Sequence, residues 1–172
     1  PLIHQLGACN FHQDADDPIG GCVYCFVDNK SNYLSPDIMT KLSPENVVNT
    51  FEKVSGPMNI NHVRVSGGEP TLALDYILKV AKLLKERGFG GARIQFDSNL
   101  STGSMIDKYV GKGIYPENIL DELADYDPKL LVAFKGTSTD RIKMNTHTTL
   151  TMNEQIYSLT KFVRAGLDCY PY

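Results

Sequence analysis

Three of the four cysteines lie near the N-terminus, at Cys9, Cys22 and Cys25. Cysteine thiolates bind zinc and iron–sulfur clusters, and a lone C-x-x-C pair also occurs in thiol oxidoreductases. A cluster held by three cysteines keeps one iron open to an outside ligand, as catalytic metal sites do. The spacing by itself leaves three interpretations open, which are an iron–sulfur cluster, a structural zinc site and incidental thiols.

A structural zinc site normally has four protein ligands, so three cysteines would need a fourth. The residue types that could supply it are histidine and the remaining cysteine, and the candidates are His4, His12 and Cys169.

The segment Ser-Gly-Gly-Glu-Pro-Thr follows a predicted strand at residues 66–71. Gly67 and Gly68 lack a Cβ atom, so the backbone there could approach a ligand closely. Glu69 adds a carboxylate that could pair with an ammonium group. The alternative is a tight turn in which Glu69 lies near the N-terminus of the next helix, where the helix dipole favours an acidic group.

Together these two segments resemble the radical S-adenosylmethionine (SAM) superfamily. The superfamily has a three-cysteine loop after its first strand, with an aromatic residue before the last cysteine, as in Cys22-Val23-Tyr24-Cys25. Its second motif, Gly-Gly-Glu-Pro-Thr, is present unchanged from Gly67 to Thr71. The resemblance covers essentially the whole chain.

The resemblance implies a [4Fe–4S] cluster on Cys9, Cys22 and Cys25, whose open iron binds the amino and carboxylate groups of SAM. It implies that the segment containing Gly67, Gly68 and Glu69 meets the methionyl ammonium group. It also places Tyr24 beside the adenine through its backbone.

The implied activity is reductive cleavage of SAM to methionine and a 5′-deoxyadenosyl radical, which takes a hydrogen atom from a substrate. The implied electron donor is a protein such as flavodoxin or ferredoxin. The substrate, a small molecule or a protein, is not indicated by the sequence.

A second likeness is to activating enzymes of the pyruvate formate-lyase activase type. In those enzymes strand three ends in Asp-Thr-Asn-Gly and strand four carries a lysine that contacts SAM. Asp97, Asn99 and Lys135 match these positions, whereas Leu100 replaces the glycine. The alternative is an Asx-type turn formed by Asp97 and Asn99 and a solvated Lys135.

The cysteine spacing departs from the common superfamily pattern. This chain has C-x12-C-x2-C instead of C-x3-C-x2-C, an insertion of nine residues within a long loop. The insertion raises the alternative that His12 replaces Cys9 as a ligand. It also contains three aspartates that we interpret as an exposed acidic loop rather than a divalent-cation site, namely Asp14, Asp16 and Asp17.

Helix and strand signals alternate along the chain, which is typical of an α/β protein with a parallel sheet. We expect (βα) repeats that form a partial TIM-type barrel, with ligands at the C-terminal ends of the strands. The predicted strands cover residues 1–8, 62–66, 92–96, 129–134 and 167–172, and the predicted helices cover 43–56, 72–87, 116–126 and 151–166. We expect residues 1–172 to be the N-terminal part of a radical SAM core, truncated after about 4.5 βα units, because the superfamily usually has six strands.

Composition narrows the remaining possibilities. A net charge of −3 provides no basic patch for nucleic acid, and no apolar run reaches the length of a membrane span. Few, clustered cysteines indicate a reducing compartment, so we expect a cytoplasmic protein.

The alternative function is a zinc- or cluster-stabilised binding module without catalysis. A thiol oxidoreductase is disfavoured because its C-x-x-C typically opens a helix, whereas this pair lies in a Gly- and Asp-rich loop.

Overall fold

The computed structural model describes residues 1–12, 21–27, 29–33, 35 and 37–172. It confirms the predicted α/β fold, with five parallel strands in one sheet. The strands are β1 (Leu2–Leu6), β2 (His62–Gly67), β3 (Arg93–Ser98), β4 (Lys129–Val132) and β5 (Asp168–Pro171).

The order of the strands in the sheet is the same as their order in the chain. A doubly wound fold reverses strand order at a switch point, whereas a barrel adds each strand beside the previous one. The sheet is open and has the strand order of a partial barrel. The carboxyl ends of all five strands therefore meet along one rim.

The helices alternate with the strands, and some were not predicted. They are α1 (Asn29–Asn32), α2 (Pro44–Ser55), a short 3₁₀ helix (Pro70–Ala73), α3 (Leu74–Glu86), α4 (Gly103–Gly111), α5 (Ile119–Ala124), α6 (Thr139–Thr146) and α7 (Met152–Arg164). The predicted helix 116–126 is correct in type but shorter, since only α5 is helical. The sequence prediction missed α1, α4 and α6. The first and the last are short and largely polar, whereas α4 carries apolar residues at helical spacing that the prediction did not use.

Alternating strand residues build the core between the sheet and the helices. Val65, Phe96 and Leu130 are fully buried there, together with Phe51 of α2 and Phe162 of α7. The intervening strand residues face the concave side of the sheet and include polar and charged side chains. This alternation leaves the inside of the partial barrel polar near the rim.

No helix in the described part of the chain combines the length and apolarity that a membrane span requires.

Helix α7 begins with a capping box, whose Thr-x-x-Glu pattern is readable in the sequence at Thr151 and Glu154. The Thr151 hydroxyl accepts a hydrogen bond from the backbone N–H of Glu154, and the Glu154 carboxylate accepts one from the backbone N–H of Thr151. Two N–H groups at the helix start are thereby satisfied.

We expect Thr151→Ala to lower the free energy of unfolding by about 1 kcal/mol, because it removes this cap. Thr160→Ala is the matched control, since Thr160 lies in the interior of the same helix, where alanine is the better helix former. Urea denaturation followed by circular dichroism measures both variants. Equal stability of Thr151→Ala and the wild-type protein would contradict the role of the cap.

Candidate cofactor site

A cavity of about 410 Å³ lies at the carboxyl ends of the strands. All ten site residues predicted from the sequence line this cavity, and they come from four different strand ends. They are Cys9, Cys22, Tyr24, Cys25, Gly67, Gly68, Glu69, Asp97, Asn99 and Lys135.

Asn32 holds the segment that carries Cys22 and Cys25, here called the cysteine loop, next to Cys9. Twelve residues separate Cys9 from Cys22 in the sequence. The backbone N–H of Cys9 donates to the carbonyl oxygen of Asn32 over 3.2 Å. The buried Asn32 side chain places its Nδ2 atom 3.8 Å from Cys25 Sγ. A turn closed by Cys25 N–H and the Cys22 carbonyl oxygen, 2.9 Å apart, joins the other two cysteines. The sequence analysis missed Asn32, whose type is common in polar loops.

Burial and the repulsion between neighbouring negative charges raise the pKa values of Cys9 and Cys22. The pKa of Cys9 is raised to about 12, mainly by burial, with smaller contributions from the neighbouring Glu69, Cys22 and Cys25 and against a backbone hydrogen bond that lowers it. Burial also raises the pKa of Cys22, partly offset by the positive charge of Lys135. A positively charged iron centre would reverse this balance, because thiolates that ligate metal are deprotonated.

The three thiols all line the cavity. Within the described residues, no three His, Cys, Asp or Glu side chains are placed to hold a single metal ion. Cysteine thiolates around a cavity are the donor set of an iron–sulfur cluster, in which several irons share the ligands. The residues therefore fit a cluster with an open iron.

Of the three candidates for a fourth zinc ligand, only His12 lines the cavity among the described residues. His4 instead lies against Tyr76, with 3.1 Å between its Nε2 atom and the tyrosine hydroxyl. Cys169 packs against the main hydrophobic core. His12 is buried and lies 3.4 Å from Asn32 Nδ2 through its Nε2 atom. The aspartates at 14, 16 and 17 fall outside the described residues.

Gly68 is required where the end of β2 meets the segment after β1. A Cβ atom on Gly68 would lie 1.8 Å from the carbonyl oxygen of Ala8, a distance that no side chain tolerates. The backbone N–H of Gly68 donates to Leu6 over 2.9 Å, and that of Glu69 donates to Ala8 over 2.7 Å. These bonds extend the β1–β2 pairing up to Cys9.

The carboxylate of Glu69 is used within the protein. It is fully buried, accepts hydrogen bonds from the backbone N–H and hydroxyl of Thr71, and accepts one from the backbone N–H of Asn99 over 2.6 Å. Burial raises its pKa, while these hydrogen bonds oppose the shift. Glu69 also caps the 3₁₀ helix, as the alternative interpretation of this segment expected.

Asp97 and Asn99 have different environments at the end of β3. Asp97 Oδ2 accepts from Arg64 over 2.8 Å and from the Ser66 hydroxyl over 2.5 Å, so it forms no Asx turn. Asn99 does form one, because its Oδ1 accepts from the backbone N–H of Ser101 over 3.0 Å. Its Nδ2 lies 3.8 Å from Cys9 Sγ.

Lys135 lies three residues beyond β4, because the strand ends at Val132 and not at residue 134 as predicted. The side chain is half-buried, and its Nζ atom is 5.6 Å from the centre of the Tyr24 ring. Lys135 is therefore in contact with the cysteine loop and is not simply solvated.

We expect the metal-free protein to show strongly unequal thiol reactivity towards iodoacetamide. Cys25 is exposed and reacts first, whereas a pKa of about 12 leaves about one Cys9 in 10⁴ as thiolate at pH 8. Because the thiolate fraction rises with pH below the pKa, Cys9 alkylation should accelerate about tenfold per pH unit from pH 8 to 11.

Peptide mass spectrometry measures these rates. Cys169 serves as the internal reference, since its pKa of about 11 also results mainly from burial but the residue packs against the core. Modification of Cys9 as fast as Cys25 at pH 8 would contradict the expected burial.

Gly68→Ala should abolish retention of iron and sulfide after anaerobic reconstitution, since the new methyl group pushes the Ala8–Cys9 segment away from β2. Gly56→Ala is the matched control, because its Cβ meets nothing within 4 Å and its φ of −67° suits alanine. Iron and sulfide assays give the result. Full cluster content in Gly68→Ala would refute this account of the β1–β2 contact.

Comparison with known proteins identifies the family of the chain. No curated protein matches the chain. The family model of the radical SAM superfamily matches residues 9–170, which begins at the first cavity cysteine and ends within β5. The chain belongs to the radical SAM superfamily.

Proposed function

We propose that this protein is a radical SAM enzyme that cleaves SAM reductively and uses the 5′-deoxyadenosyl radical to remove hydrogen from a substrate. The observation that supports it is the lining of one cavity by three cysteines, the Gly-Gly-Glu segment and three further polar residues from the next strand ends. Superfamily membership supports the same reaction class.

Cys9, Cys22 and Cys25 would hold the [4Fe–4S] cluster. When bound and reduced, the cluster supplies the electron that breaks a carbon–sulfur bond of SAM and gives methionine and the radical. The residues at the rim have binding and orienting roles in this proposal.

Lys135 provides a cation beside the cysteine loop that suits the SAM carboxylate. The segment containing Gly67, Gly68 and Glu69 would meet the methionyl ammonium through its backbone, because the Glu69 carboxylate is already occupied. Tyr24 would contact the adenine through its backbone, at the opening of the cavity.

Asp97 and Asn99 complete the proposed SAM contacts. Asp97 Oδ1 is buried without a hydrogen-bond partner among the described residues, and such an acceptor is stabilised when a ligand hydroxyl donates to it. Asn99 lies between Cys9 and the end of β3. The likeness to glycyl-radical activases supports these assignments.

Apolar side chains that line the cavity would protect a reactive radical from water. They are Phe11, Val27, Ala133 and Phe134. Cys25 is solvent-exposed, which suits electron entry from a donor such as flavodoxin or ferredoxin. A cytoplasmic location is a further part of the proposal, and the substrate stays open between a small molecule and a protein.

After anaerobic reconstitution with iron and sulfide, addition of dithionite and SAM should yield 5′-deoxyadenosine and methionine, detected by liquid chromatography and mass spectrometry. Cys22→Ser should lose the cluster and the activity, because it removes one of three ligands. Cys169→Ser is the control, since it removes a thiol that packs against the core and should keep both.

Two results would contradict the proposal. Stoichiometric zinc in place of iron would favour a zinc-stabilised module. A cluster-loaded protein that binds SAM and releases no 5′-deoxyadenosine would favour a binding module without catalysis.

A further inference from the structure

Gln155 is a fully buried polar residue in the first turn of α7. Its side chain makes three hydrogen bonds to backbone atoms of two cavity loops. Its Nε2 donates to the carbonyl oxygens of Asn99, over 2.8 Å, and Ala133, over 3.3 Å. Its Oε1 accepts from the backbone N–H of Lys135 over 3.2 Å. Both N–H donors of the amide and its oxygen are thus used.

These bonds lie where β3 and β4 separate. The two strands pair through Ser98 and Val132, and the last bond between them runs from the Ala133 N–H to the Ser98 carbonyl oxygen over 2.8 Å. Beyond this bond the segments that follow β3 and β4 diverge, and their backbone groups no longer form hydrogen bonds with each other. The amide of Gln155 takes the place of the missing strand pairing, because buried backbone groups must find partners.

The loop that contains Lys135 is also tied to the cysteine loop. The carbonyl oxygen of Lys135 accepts from Asn145 Nδ2 over 2.8 Å, and the Asn145 carbonyl oxygen accepts from the Val23 N–H over 2.9 Å. A displacement of the Lys135 loop would therefore be transmitted to the segment between Cys22 and Cys25.

We propose that Gln155 is a positioning residue for SAM, which fixes the β3 loop with Asn99 and the β4 loop with Lys135 at one separation. The inference rests on the proposed function, because Asn99 and Lys135 are assigned to SAM there. Gln155 itself acts through these two loops and through the cysteine loop beyond them.

The test compares Gln155→Met with Ser158→Ala in the reconstituted protein. Methionine keeps the length of the side chain and removes all three hydrogen bonds. Ser158 is the matched control, since it is buried one turn further along the same helix and its hydroxyl accepts from the Gly103 N–H of α4 over 3.0 Å. Both variants should lose stability in urea denaturation, because each leaves buried backbone groups unpaired.

Only the Gln155 variant should weaken the binding of SAM. We expect its SAM dissociation constant to rise about tenfold or more, the loss expected for misplaced charged and amide contacts. The change that SAM produces in the electron paramagnetic resonance spectrum of the reduced cluster should also weaken. Ser158→Ala should keep the wild-type affinity and spectrum.

Gln155→Glu provides the second variant if Gln155→Met fails to fold. It keeps the acceptor for the Lys135 N–H and loses the donors to the Asn99 and Ala133 carbonyl oxygens. The only link to the β3 loop is then lost while one bond to the β4 loop stays, so SAM binding should again weaken. Wild-type affinity and spectrum in a cluster-loaded Gln155 variant would overturn the inference. Failure of the wild-type protein to bind SAM would instead overturn the proposed function, and this inference with it.

Discussion

The buried carboxylate of Glu69 is the interaction on which the rim of the sheet depends. A carboxylate is costly to bury unless hydrogen bonds compensate it, so its partners are held firmly in place. Those partners are Thr71 at the start of the 3₁₀ helix and the backbone of Asn99 at the end of β3. The Glu69 backbone also binds Ala8, next to the first cysteine. One residue therefore joins the ends of β1, β2 and β3.

The remaining strand ends continue this arrangement with amide side chains. Gln155 connects Asn99 to Lys135, and Asn145 connects Lys135 to the cysteine loop. Amides suit this purpose, because each offers donors and acceptors together and adds no charge to a buried wall. Through this network the polar side chains of the rim hold the strand ends together, while Asp97 Oδ1 stays without a partner among the described residues. The thiols, the backbone at Gly67 and the ammonium of Lys135 stay available to a ligand.

The sequence predicted those parts of the fold and site that have local signals. Capping residues and apolar periodicity placed α2 and α7, and the two motifs placed the cavity. Helix α6 was missed because its eight residues bury only Ile142 and Thr146, too few to show a period. Gln155 was missed because a glutamine in the first turn of a helix resembles a surface residue until the neighbouring strands are in place. The position of Lys135 beyond β4 depends on where two strands diverge, which is a property of the sheet and not of the segment.

Leu100 shows how far this chain can depart from the activase pattern. It has a φ of +61° and is completely buried, at the position where those enzymes carry glycine. The left-handed conformation costs a residue with a Cβ roughly 1–2 kcal/mol, whereas removing a buried leucine side chain costs roughly 2–5 kcal/mol. Glycine at this position would therefore relieve the backbone strain but lose more free energy of packing in the core than it gains. A change of Leu100 to glycine would require a neighbour to grow at the same time, so the two positions would change together in evolution.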